Sequence, residues 1–198
     1  MSAKLLAFVG SPRTGGNTDV LVDEAVDAFC QAGGQAEKIF LSDLSIHPCQ
    51  GCGACSRADG IESVCVQQDD MTDLYRKMFA ADALLWATPI YMWAPTAQMK
   101  LFLDRHYPLG DYQNTRWRCA LEGKPVGLLI VYAEADPLDS GVFQTRDILK
   151  VVAEASGGTV PFVIHSTVGE KGQARQDEAL VRRVRQAMTA LVGSLADH

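Results

Sequence analysis

Long apolar runs are missing from this chain. No stretch of its 198 residues approaches the roughly 18 consecutive apolar residues that cross a bilayer. Positive charge is also short: 18 Lys and Arg stand against 24 Asp and Glu, a net charge of −6. No basic stripe runs along the sequence, so a nucleic-acid partner is not expected. Arg182, Arg183 and Arg185 do cluster, but they fall on the polar side of a helical pattern and read as a solvated face. Histidine is scarce, and four scattered copies build no Ser–His–Asp arrangement. His47 and His106 read as surface or structural residues. The opening stretch, MSAKLLAFVGSPR, lacks the apolar core and cleavage segment of a secretory leader. A cytoplasmic protein with reduced cysteines is therefore expected, not one stapled by disulfides. Internal repeats, low-complexity tracts and linkers are absent.

What is present is an ordinary globular composition, 47% hydrophobic and 21% charged. A chain of this length buries about 70% of its unfolded surface and needs no metal to fold. One domain over 1–198 is expected, with a cysteine-rich insertion at about 47–65. Five short apolar runs read as strands: Lys4–Gly10, Ala36–Leu41, Ala83–Thr88, Lys124–Tyr132 and Thr159–His165. Helical patterns alternate with them. The first begins at Asn17 and Thr18 and stops at Gly33-Gly34; the second starts at Asp69-Asp70 and runs to about Ala80. A third spans about Thr96–His106, and a fourth Val142–Ala155. The last repeats Leu180, Val184, Met188, Leu191 and Leu195. Strands alternating with helices mark a parallel sheet covered on both faces. Ligands in such sheets lie at the C-terminal ends of the strands.

Two loops fall at such ends. The first is GSPRTGGNT, Gly10–Thr18. It is neither G-x-G-x-x-G nor a P-loop, because no Lys follows the glycine pair. Its chemistry is still that of an anion site. Glycines let backbone N–H groups converge, Ser11 and Thr18 offer hydroxyls, Asn17 an amide and Arg13 a charge that can bond phosphate at two points. A helix N-terminus follows directly. A phosphomonoester such as that of FMN suits one such loop; a dinucleotide would want a pyrophosphate turn and an acidic residue about 20 positions later. The second loop, TPIYMWAPT (Thr88–Thr96), is stiffened by two prolines and carries three large side chains. It suits either a flat ring or a small aromatic core beneath the loop.

Cysteine is concentrated. Cys49, Cys52 and Cys55 follow C-x2-C-x2-C, and Cys65 comes after a gap of nine residues. Four thiolates suit an iron–sulfur cluster or tetrahedral zinc. Plain thiols are the third reading. Zinc sites usually pair two C-x2-C knuckles, which this run does not. Cys30 and Cys119 stand apart and read as small buried apolar groups. The long stretch Pro108–Gly123, with Trp117, reads as a functional or partner-facing loop.

GSPRTGGNT, CQGCGACS…C…DDM and ATPIYMWAPTAQMKLFLDR together resemble the NADPH-dependent FMN reductase family and its iron–sulfur flavoprotein relatives. The resemblance covers about residues 4–165, in the family's order. It implies a three-layer, flavodoxin-like α/β fold with a five-stranded parallel sheet in the order 2-1-3-4-5 and helices on both faces. It implies FMN held by its phosphate at Ser11, Arg13, Asn17 and Thr18. Pro89, Ile90, Tyr91, Met92 and Trp93 would line the ribityl chain and isoalloxazine. A third loop would contribute Ala133, Glu134 and Asp136, although YAEADPLDSG departs from the family's glycine-rich form.

The implied activity is oxidation of NAD(P)H with ping-pong transfer to a quinone, flavin or similar small acceptor. The implied assembly is a homodimer or homotetramer. Two alternatives remain open. One is an iron–sulfur flavoprotein passing electrons between FMN and a 4Fe-4S cluster on Cys49, Cys52, Cys55 and Cys65. The other is a non-enzymatic, flavodoxin-like electron carrier. Cluster-bearing relatives have a shorter gap before the fourth cysteine.

Overall fold

Strand β1 (Lys4–Val9) lies inside the sheet, which is why five of its six residues are buried. Helix α1 (Asn17–Gln31) returns the chain to β2 (Gln35–Phe40) at one edge. Helix α2 (Met71–Ala80) then leads to β3 (Ala83–Tyr91) on the other side of β1. A two-residue strand β4 (Ala94–Pro95) folds back on β3 before α3 (Ala97–Asp104). Strand β5 (Val126–Tyr132), helices α4 (Pro137–Ser140) and α5 (Val142–Ala155), strand β6 (Val163–Thr167) and helix α6 (Glu178–Ala196) complete the order. The computed structural model describes residues 2–55, 65–109 and 121–196.

The five long strands are parallel and ordered β2-β1-β3-β5-β6. This is the expected 2-1-3-4-5 arrangement, with the short antiparallel β4 added. Alternation along β1 divides two cores. Leu6 and Phe8 join Trp86, Leu128, Phe102 and Leu149 on the face covered by α2, α3 and α5. Leu5, Ala7 and Val9 join Leu85, Phe29, Val184 and Met188 on the face covered by α1 and α6. Among the described residues, no helix is long and apolar enough to cross a membrane.

Two strands depart from their expected limits. Strand β3 runs through Pro89 to Tyr91 instead of ending at Thr88. Ala87 faces β1, accepting from Gly10 N at 2.7 Å. Pro89, two residues on, turns its missing N–H the same way, past the end of the β1 ladder at Val9. The last strand begins at Val163, not Thr159. Thr159 makes an isolated bridge to Pro125, and Pro161 then has no donor to extend the ladder.

Candidate functional site

The β1–α1 loop is fixed from inside. Gly16 N donates to Arg13 O at 3.0 Å, and Arg13 N to Ser11 Oγ at 3.2 Å. Gly15, at φ +71°, occupies backbone space that few other residues adopt. Its N–H donates to Asp19 Oδ2 at 2.6 Å. Asp19 is buried in the first turn of α1, and Lys38 Nζ neutralises it at 2.7 Å. Burial works against the Lys38 ammonium, but its hydrogen bonds to Asp19 and Asp23 outweigh this and raise its pKa. Asp19 and Lys38 were not anticipated from sequence. An acidic residue in a helix's first turn was the available signal.

The loop opens on a cleft of about 110 Å³, lined by Ser11, Arg13, Thr18, Pro89, Tyr91 and Ala133 among others. Asn17 and Ile90 also border it. Thr18 is 2% exposed, and its hydroxyl has no hydrogen-bond partner among the described residues. The N–H groups of the first turn of α1 have no intrahelical acceptor. Arg13 is exposed and carries no ion pair among the described residues. The Asn17 side chain is engaged elsewhere. Its Nδ2 donates to Val168 O at 3.2 Å and Glu170 O at 2.8 Å, and its Oδ1 accepts from Ala174 N at 3.1 Å. These bonds bring the loop after β6 against the cleft, where Gly169 and Lys171 form a wall that sequence reasoning missed.

The β3–β4 turn stands at the cleft's rim. Met92 and Trp93 both have positive φ, 48° and 61°. Paired left-handed residues make the tight two-residue hairpin that Asn-Gly usually supplies. The turn is held from both sides. Trp93 Nε1 donates to Asp139 O at 2.8 Å. A Cβ on Gly141 would lie 2.4 Å from Trp93 O, so only glycine fits beneath it. Met92 and Trp93 project to solvent, 83% and 59% exposed. Glu134 and Asp136 do not line the cleft. Asp136 caps α4 instead, accepting from Leu138 N at 2.8 Å with Pro137 at the first helical position. Tyr132 does line it, and its hydroxyl lies 3.4 Å from His165 Nδ1.

A second cavity, of about 280 Å³, is lined by Cys49, Cys52, Cys55 and Cys65, with Arg105 and Pro108. Burial raises the Cys55 thiol pKa, and neighbouring Cys65, Cys49 and Cys52 raise it further. Among the described residues, no three Cys, His, Asp or Glu gather as a site for a single metal ion. A buried Asp69–Arg105 pair anchors the segment's ends, with Nη1 to Oδ2 at 2.5 Å. Asp69 also accepts from His47 N at 2.9 Å, and Arg105 donates to His47 O at 2.8 Å. Burial opposes the Asp69 carboxylate, but Arg105's hydrogen bonds outweigh it and hold its pKa down.

His47 is itself exposed, and His106 is buried against Trp86 and Phe102. Both are therefore the surface and structural residues expected. Cys30 is exposed, which corrects its reading as a buried group: its helix position turns it to solvent beside buried Phe29. Cys119, Trp117 and most of the Pro108–Gly123 stretch lie outside the described residues.

The profile of the NADPH-dependent FMN reductase family matches residues 3–166. The chain belongs to this family. Within it, an iron-sulfur flavoprotein of Archaeoglobus fulgidus is 38% identical over 130 residues, 66% of this chain and 54% of that protein. An iron-sulfur flavoprotein of Methanosarcina thermophila is 37% identical over 102 residues, 52% of this chain and 51% of that one. The chain spans about half the length of the curated relatives it matches. Among solved structures, an NAD(P)H:quinone oxidoreductase from Methanothermobacter marburgensis superposes with a TM-score of 0.69 at 17% identity. That superposition covers 96% of this chain and 100% of the other. It bears on the fold alone, which this chain also shares with a flavodoxin from the domain Archaea, at a TM-score of 0.61 and 11% identity over 98% of this chain and 99% of the other.

Proposed function

We propose that the chain binds FMN in the β1–α1 cleft and oxidises NAD(P)H, passing electrons to a quinone, flavin or similar small acceptor in ping-pong order. The observation that carries this is Thr18. The residue is 2% exposed and borders the cleft, and its hydroxyl has no partner among the described residues, beside the first-turn N–H groups of α1 and the Arg13 charge. That donor set suits a phosphate monoester. FMN, when bound, would supply the hydride chemistry that no side chain here provides. The protein's part is to hold and orient. Ser11, Arg13 and Thr18 fix the phosphate end, while Pro89, Ile90 and Tyr91 border the path away from it. The cleft, at about 110 Å³, is smaller than the roughly 300–1,000 Å³ of enclosed ligand sites. The ring would lie outside it, against the exposed Met92–Trp93 turn, which a second subunit would cover in a homodimer or homotetramer.

Apoprotein titrated with FMN should quench flavin fluorescence at one site per chain. The loaded protein should oxidise NAD(P)H with an artificial quinone, giving parallel double-reciprocal lines. Flavin-loaded protein inert to both nicotinamides would favour the electron carrier instead.

The cysteine cavity supports a second reading, an iron–sulfur flavoprotein. Cys49, Cys52, Cys55 and Cys65 border one space but do not converge on a point. That suits a group with extent, a 4Fe-4S cluster, better than one tetrahedral zinc. Anaerobic reconstitution with iron and sulfide should leave about four iron atoms per chain, and Cys55→Ala should not retain them. Protein that retains no iron would leave the cysteines as plain thiols.

A further inference from the structure

We infer that Lys171 is a second cationic contact for the phosphate monoester in this cleft, carried there by a loop that Asn17 holds. The inference rests on the FMN reading above. Lys171 borders the same cleft as Arg13. Its Cε lies 3.7 Å from where a Cβ on Gly15 would sit, over the bend of the β1–α1 loop. Gly172 approaches the same bend, its Cβ position 3.5 Å from Gly15 O, at φ +77°. Two glycines in left-handed conformation let the loops meet without a side chain between them.

The segment bearing Lys171 is built in place. Asn17 makes three hydrogen bonds to its backbone. Gln173 Oε1 accepts from Gly169 N at 3.1 Å and Glu170 N at 3.0 Å. The Lys171 ammonium has no hydrogen-bond or ion-pair partner among the described residues. Lys38, the lysine that pairs with the start of α1, is already occupied by Asp19 and Asp23. A phosphate monoester carries up to two negative charges on three terminal oxygens. Arg13 and Thr18 border the cleft from the β1–α1 stretch, and a lysine with three donors borders it from the loop after β6. Asn17 is then a positioning residue, acting through Lys171.

The test compares FMN with riboflavin, which differ by the phosphate alone. Apoprotein of the wild type, Lys171→Gln and Lys171→Arg is titrated with each flavin by fluorescence quenching. Lys171→Gln should weaken FMN about five- to tenfold, as expected for a charge-assisted hydrogen bond at a half-open site. Riboflavin affinity should not change, and Lys171→Arg should remain close to wild type. Unchanged FMN affinity in Lys171→Gln overturns the inference, as does equal loss for both flavins.

A nicotinamide cofactor could bring a phosphate monoester of its own, so KM for NADPH and NADH is measured in parallel. A rise for NADPH alone, with FMN affinity intact, would assign the phosphate to the nicotinamide and overturn the contact to FMN. Wild-type protein that binds riboflavin as tightly as FMN would instead defeat the reading of the cleft, and this inference with it.

Discussion

The β1–α1 loop and the cysteine segment each follow the C-terminal end of a strand, β1 and β2, and they are held by different means. In the first, almost every group between Gly10 and Asp19 is tied. Gly10 N is bonded to Ala87, Gly15 N to Asp19, Gly16 N to Arg13 and the Asn17 side chain to the loop after β6. Among the described residues, Thr18, Arg13, the Ser11 O–H and the first-turn N–H groups remain for a ligand. In the second, the ion pair and hydrogen bonds among the described residues include those that fix its two ends. Asp69 and Arg105 hold His47, and Gln67 Nε2 donates to Pro48 O at 3.2 Å. Cys49 and Cys52 are exposed. The first site is preorganised by its own hydrogen bonds; the second is anchored at its described ends by a buried ion pair. Preorganisation favours tight binding because little ordering remains to be done on association.

The largest expected effect tests the anchor. Asp69→Ala leaves the Arg105 guanidinium buried without its partner and should lower unfolding free energy by about 3–5 kcal/mol in urea titrations. FMN affinity of the folded fraction should change little. A parallel collapse of FMN binding would show that the two regions are not independent.

Acid should act next, beneath the same anchor. Burial depresses His106 to about 4 from 6.5. Between those values the unfolded chain takes up a proton that the folded chain refuses, so stability is whole above 6.5 and falls toward 4. The loss should be on the order of 3 kcal/mol. His106→Gln should flatten the stability–pH curve over that window.

At the phosphate loop, Asn17→Ala removes three hydrogen bonds and should lower stability by about 1–3 kcal/mol. FMN should weaken more than riboflavin. Equal weakening of the two flavins would mean that Asn17 shapes the cleft as a whole and does not act through Lys171. Thr18→Val is gentler. It keeps the side-chain shape and loses a hydroxyl that bonds nothing among the described residues. FMN affinity should fall roughly fivefold, with the melting temperature unchanged. A large fall in melting temperature would show the hydroxyl to be structural. The smallest effect belongs to the β3–β4 turn. Asn tolerates left-handed backbone better than Met, so Met92→Asn should raise stability by up to about 1 kcal/mol in thermal melts.

Much of this was legible in the residues. The alternation of apolar runs with helical periods points to a parallel sheet covered on both faces, because parallel strands need covering helices and right-handed crossovers; the strand order comes from the family resemblance. GSPRTGGNT shows its donor set in advance, since glycines, hydroxyls and a helix start stand together in one short stretch. Asp136 was misleading. The family resemblance offers it as a ligand contact, yet an Asp before Pro is equally a helix cap, and it caps α4. Cys30 misled for another reason: cysteine's average preference for burial says nothing of which way one helix position turns. Pro89 looked like a stop because the sequence does not say which side of β3 its missing donor would face.

By itself the sequence determined the order of elements, the donor chemistry of the β1–α1 loop and the number of thiols near one another, because each is a property of neighbours along the chain. Tertiary structure decided which distant residues complete those sites. Asn17 meets Val168 and Glu170 across more than 150 positions. Asp69 meets Arg105 across 36, and Lys171 reaches Gly15. No local pattern encodes such pairings. They exist because the strands stack in register and set the loops at their C-terminal ends side by side.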